Sequence, residues 1–209
     1  MSYGIEFRNS NDVVTLDSEF SRLVVLQRGR YSGGATFSPP ITTDEPPLVF
    51  VRPDASSTFQ YATISGTPGN WTGFTFIGNV PGNFFVAAFQ SREVSGYGFR
   101  IWDGQSKLLF DSGTPCAQFT RTITQWTYLG SSNTSQGQTK SSWTAYSPVD
   151  TGDYMLINNI GMDVCGSSSG YAKLYCTWEY ENNRIVPFIV GVSNSVHFYI
   201  PISFAKPMS

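Results

Sequence analysis

Short runs of alternating apolar and polar residues, rather than helical stripes, recur along the whole chain. In the first half they are YGIEF, VVTL, FSRLVVLQ, LVFVR, FQYATIS, WTGFTFIG and NFFVAAFQ. In the second they are YGFRIW, KLLF, AQFTRTITQWTYLG, SSWTAY, YMLIN, YAKLYCTWEY, RIVPFIVG and VHFYIPISF. A period of two places one apolar face against a core and leaves the other to solvent or to a second layer. Turn-forming stretches separate the runs: RNSND, SGTPGN, NVPGN, WDGQS, SSNTSQGQ, VDTG, CGSSSG and YENN. Gly, Asn, Asp and Pro supply the left-handed or fixed backbone angles that tight turns need. Strands punctuated at intervals of about 8 to 12 residues predict an antiparallel β-sandwich or barrel. No stretch keeps a helical apolar stripe without Gly or Pro interrupting it.

One internal repeat emerges. Residues 3–18 read YGIEFRNSNDVVTLDS, and residues 97–112 read YGFRIWDGQSKLLFDS, aligned without a gap. Tyr3, Gly4, Asp17 and Ser18 match Tyr97, Gly98, Asp111 and Ser112. Tyr3, Ile5 and Phe7 share one strand face, as do Tyr97, Phe99 and Ile101, and a polar turn divides each copy. In the second copy that turn holds Asp103-Gly104, a strong hairpin signal. Each half is therefore expected to open with the same β-hairpin. The predicted fold is all-β, with two small antiparallel β-sandwich-like domains in tandem, 1–93 and 94–209. The alternative is a single sandwich that uses two similar hairpins. The roles read for the repeated frame are structural. Tyr is an amphipathic anchor, Gly permits a bulge, and Asp-Ser bonds to nearby backbone at a strand end.

The frame resembles small virion proteins of tailed bacteriophages, the minor tail and tail-tip proteins. They commonly begin M-x-Y-G, then strand, turn, strand and D-S, here Met1-Ser2-Tyr3-Gly4 through Asp17-Ser18. The resemblance covers about the first 30 residues, and the copy at Tyr97–Ser112 carries it into the second half. It implies a non-enzymatic component of a tail tip, baseplate or fibre-attachment region. The implied partners are other tail proteins around a central axis, often with threefold symmetry, beside the structures that attach to the host. It implies no cofactor and no catalytic residues.

Composition agrees with an assembly role. Charged residues are 13% of the 209, about half the usual fraction, and aromatic residues are 15%. Thirteen basic against fifteen acidic residues argue against nucleic-acid binding and against electrostatic attachment to a membrane. No apolar run approaches the length of a membrane helix, so no membrane insertion is expected. The start, MSYGIEFRNS, lacks the basic and apolar regions of a secretory signal. Synthesis in a host cytoplasm followed by exposure on a virion is the expectation. Cys116, Cys165 and Cys176 are odd in number and lack zinc spacing, so reduced packed thiols are expected. A Cys165–Cys176 bridge across the GSSSG turn is the alternative.

Candidate chemistry is sparse. His197 is the only histidine, lies in an alternating run and has no G-x-S-x-G nucleophile elbow to serve; it reads as a surface or interface residue. Asp150 and Asp153, like Asp44 and Glu45, read as turn residues without the ligand spacing of a calcium loop. The SPPITTDEPPL stretch reads as an extended connector, or as an arm packing on a neighbour in an assembly. In TWEYEN, Trp178 and Tyr180 share one face and Glu179 and Glu181 the other. The plain reading puts the aromatics in a core; the other makes them a sugar-binding edge. Trp102 falls opposite Tyr97, Phe99 and Ile101, hence outward if those three face the core. Trp102, Trp178 and Tyr180 are thus the candidate contact surface, for protein neighbours or, in the alternative function, for a host surface glycan.

Overall fold

The structure is a computed structural model, which describes residues 6–8, 14–17, 22–91, 93–94, 96–145, 152–164, 172–191 and 197–208. The alternating runs become strands, and no described residue is helical. In the first half these are β1 (Glu6–Arg8), β2 (Val14–Asp17), β3 (Leu23–Tyr31), β4 (Gly34–Ile41), β5 (Leu48–Pro53), β6 (Ser57–Thr67), β7 (Asn70–Ile77) and β8 (Gly82–Phe89). The second half adds β9 (Arg100–Trp102), β10 (Leu108–Asp111), β11 (Ala117–Ile123), β12 (Thr127–Asn133) and β13 (Thr139–Thr144). It ends with β14 (Tyr154–Leu156), β15 (Lys173–Glu179), β16 (Arg184–Val190) and β17 (Ile202–Pro207). The all-β antiparallel class is as expected.

Two large sheets carry the fold. One has six strands in the order β11-β17-β14-β5-β8-β3, the other seven in the order β12-β13-β16-β15-β6-β7-β4. Both draw strands from both halves of the chain. β5 pairs with β14 through Val51↔Met155, and β6 pairs with β15 through Phe59↔Cys176. The expected tandem arrangement, 1–93 and 94–209, is corrected accordingly: neither half owns either of the large sheets. The physical reason is edge satisfaction. Strands β5 and β6 would each present a row of unpaired backbone donors and acceptors if the second half were removed. The chain changes sheets at both margins, from β3 into β4 and from β11 into β12.

The six-stranded sheet curls. A Val24↔Cys116 bridge and a 2.8 Å bond from Val25 N to Pro115 O join its two edge strands at one end. Both of its faces are therefore apolar. The outer face supplies Val51, Phe84, Met155 and Phe204 to the main core, which the seven-stranded sheet completes with Phe59, Phe74, Trp178 and Ile185. The inner face encloses a second core. There Phe50 stacks on Phe85 at 4.6 Å, and Phe119, three strands away in the sheet, reaches the Phe50 ring at 5.8 Å. This explains why LVFV and FFVAA are continuous apolar runs: residues 49–51 and 84–88 are buried on both faces. A third cluster stacks Trp143 on Phe198 at 5.1 Å.

Cys176 is a free thiol, fully buried with its Sγ 3.9 Å from Met155 Sδ, so the bridge to Cys165 is not formed; Cys165 lies outside the described residues. Cys116 is also free.

Candidate interaction surface

The repeated hairpins form two small sheets of their own, β1 with β2 and β9 with β10. Their registers coincide. Glu6↔Asp17, Phe7↔Leu16 and Arg8↔Val14 in the first correspond, position for position, to Arg100↔Asp111, Ile101↔Phe110 and Trp102↔Leu108 in the second. Even the irregularity recurs, with Thr15 and Leu109 as the extra residues in the two ladders. The repeat seen in the sequence is thus a repeat of backbone pairing. Tyr3, Gly4 and Ser18 lie outside the described residues, and Asp17 ends β2 opposite Glu6.

In the second copy the Asp-Ser pair fastens the base of the hairpin. Asp111 is 2% exposed. Its carboxylate accepts hydrogen bonds from Arg100 Nε at 2.8 Å and Gly113 N at 2.8 Å, and lies 3.4 Å from Val94 N. The Arg100 guanidinium, followed by the Gly113 amide, holds the Asp111 carboxyl below the usual carboxylate range. Ser112 donates its backbone N–H to Phe99 O at 2.9 Å, and its hydroxyl accepts from Phe99 N at 2.9 Å. At the other end Asp103 Oδ1 accepts from Gln105 N and Lys107 N at 2.8 and 2.9 Å. Asp103-Gly104 therefore opens a longer connection capped by its own carboxylate, not a two-residue turn. Ser91 donates its hydroxyl to Leu109 O, and the Arg22 guanidinium lies 5.0 Å over the Phe110 ring. These contacts tie the hairpin to the curled sheet.

The expected inward face is only partly inward. Ile101 is buried, but Phe99 is 45% and Tyr97 96% exposed. Ile101, Leu109 and Asp111 are the buried positions of the hairpin, while Phe99 keeps a tilted ring contact with Phe110 at 6.3 Å. Gly98, at φ 144°, adopts a backbone angle suited to glycine. Trp102 is 47% exposed. Trp178 is buried and Tyr180 half-buried against the main core, so they do not join Trp102 as an exposed contact surface. Trp178 meets Phe204 edge-on at 5.6 Å, and the Tyr180 hydroxyl donates to Pro53 O. The plain reading of that strand is the one realised, with Glu179 held by Arg184 Nε at 2.7 Å.

His197 is exposed and its ring stacks beside Tyr199 at 6.0 Å. Among the described residues no group of three or more His, Cys, Asp or Glu comes together to hold a metal. Asp153 is not a simple turn residue: it is 1% exposed, accepts from Thr120 Oγ1 at 2.9 Å and lies 3.6 Å from Lys206 Nζ. Asp150 lies outside the described residues.

The proline-rich stretch is neither a free connector nor an arm. Residues 38–41 belong to β4, and the loop that follows is fixed at both ends. Thr43 O accepts from Trp71 Nε1 and Gly69 N at 2.8 and 2.9 Å. Asn158 donates to Pro47 O at 2.9 Å and accepts from Val49 N at 2.8 Å. This loop and the second hairpin flank a cleft of about 710 Å³ floored by Leu48, Ala87 and Ala88. Sequence reasoning missed it. The available signal was Asp44-Glu45 set between rigid prolines, but nothing local says that residues 107–108 stand opposite. Comparison with family models, curated proteins and solved structures finds no match.

Proposed function

We propose that the chain is a non-enzymatic structural component of a phage virion, placed in the tail tip or baseplate. In this reading it joins neighbouring tail or fibre proteins, in a ring of copies for which threefold symmetry is favoured. The observation that supports it most is the hairpin built twice in one register. Its second copy is fastened at the base by a buried Asp111–Arg100 pair while Tyr97, Phe99 and Trp102 stand exposed. A rigid base with exposed aromatic side chains is the arrangement that interface anchors require. Two such hairpins on one chain suit an adapter that touches two neighbours.

The test is cryo-electron microscopy and protein mass spectrometry of particles from the phage that encodes this chain. The expected result is density for the double sheet at the tail tip, with residues 97–102 against a neighbour. Particles that lack the chain would overturn the proposal.

A further inference from the structure

We propose that the cleft between the Thr42–Pro46 loop and the second hairpin is a carbohydrate-binding site, for neutral or amino-sugar oligosaccharides. The inference concerns the purified chain itself and does not depend on where that chain is assembled.

Four observations carry it. First, the cleft is pre-organised. The backbone of its loop wall is clamped by Trp71 and Asn158, and the opposite wall by Ser91 and the Arg100–Asp111 pair. Walls already held in place lose little freedom when a ligand binds. Second, the cleft presents mixed polar groups that the fold does not use. Among the described residues the Asp44 and Glu45 carboxylates, the Gln90 amide and the Lys107 ammonium line it with no protein partner. They offer both donors and acceptors, as sugar hydroxyls do. Third, Phe89 is 67% exposed at the lip, after five consecutive buried residues of the same strand. An exposed ring gives a pyranose an apolar face to stack on. Fourth, two carboxylates outnumber one ammonium, which repels the carboxylates of uronic and sialic acids and admits uncharged or amino-bearing sugars. The same charges argue against a protein occupant, since the centres of protein interfaces are depleted in Asp, Glu and Lys. At about 710 Å³ the cleft is of the size of small-ligand sites.

The experiment uses the whole chain on an array of immobilised neutral, amino-sugar and acidic glycans. Saturation-transfer NMR and calorimetry then follow with the retained neutral or amino-sugar glycan and with sialyllactose. The expected result is retention of neutral or amino-sugar glycans and not of acidic ones, with saturation transferred from Phe89. Phe89→Ala is expected to weaken binding about tenfold. The double variant Asp44→Asn, Glu45→Gln is expected to weaken it and to admit sialyllactose, while Tyr199→Ala, outside the cleft, leaves it unchanged. Thermal unfolding checks that each variant is folded. Retention of no neutral or amino-sugar glycan, preference for acidic ones, or unaltered binding by folded Phe89→Ala would each overturn the proposal. Failure here would leave the virion proposal standing, because that one is tested on particles.

Discussion

Trp102 and Trp178 sit in strands of similar pattern and meet opposite fates. Trp178 is 3% exposed between Tyr180 and Phe204, whereas Trp102 is half exposed beside the turn of its hairpin. Replacing a packed indole leaves a cavity the neighbours only partly fill. Trp178→Ala is therefore expected to cost about 3–5 kcal/mol, and Trp102→Ala to stay within about 0.5 kcal/mol of the parent, in urea denaturation. Gly82 is constrained by space rather than by angle. A Cβ there would lie 2.2 Å from Arg52 O and 2.7 Å from Pro53 Cα, backbone atoms of the paired strand. Gly82→Ala is expected to destabilise by about 1–3 kcal/mol on the same assay. Burial pushes the Cys176 thiol above its ordinary value, and its fully buried Sγ is closed to reagents in the folded protein. Iodoacetamide on the folded protein is expected to leave Cys176 unmodified, and urea to expose it, as peptide mass spectrometry will read.

At the level of the element, the second hairpin depends on an ionised carboxylate. Arg100 first, then the Gly113 amide, lower the Asp111 value in the folded state. A lowered folded value contributes stability that is fully present above the unfolded value, near 4, and is lost as pH falls through the folded value. Asp111→Asn is expected to be less stable than the parent at pH 7. The gap between their urea midpoints is expected to close progressively below about pH 4. A gap that stayed constant into acid would count against the ion pair as the cause. The hairpin itself was legible because its determinants are local: an alternating run on each side of Asp103 and the Asp-Ser step that closes the base. Which residues it buries was not. Tyr97 and Phe99 carry an inward pattern, but whether an element lies over them is decided elsewhere in the chain. In TWEYEN the period of two governs only Thr177–Glu179, where the strand β15, paired on both sides, turns Trp178 into the core and Glu179 toward Arg184; Tyr180 and Glu181 lie in the turn that follows.

At the scale of the whole molecule, local pattern stops being informative. Nothing in FQYATIS names YAKLYCTWEY as its neighbour, yet Phe59 pairs with Cys176 across more than a hundred residues. A duplicated hairpin invites division at the midpoint, but backbone hydrogen bonding overrides it. The cleft was hidden for the same reason: its acidic loop and its Lys107 wall come from different halves. The interleaving has a direct consequence for stability. A fragment 1–93 would expose the edges of β5 and β6 and lose Met155, Phe204, Trp178 and Ile185 from the main core. A fragment 94–209 would keep β11, β17 and β14 joined but lose Val51, Phe59, Phe74 and Phe84. Each missing buried side chain forfeits about 1.5–3 kcal/mol of burial, against a total stability of only about 5–15 kcal/mol for a domain. Neither fragment is expected to fold alone, and the intact chain is expected to unfold its double sheet in one cooperative transition. Circular dichroism and calorimetry on the three proteins will check this. An independently folded 1–93 with its own sharp transition would show that the halves are separable after all, and that the shared sheets do not govern cooperativity.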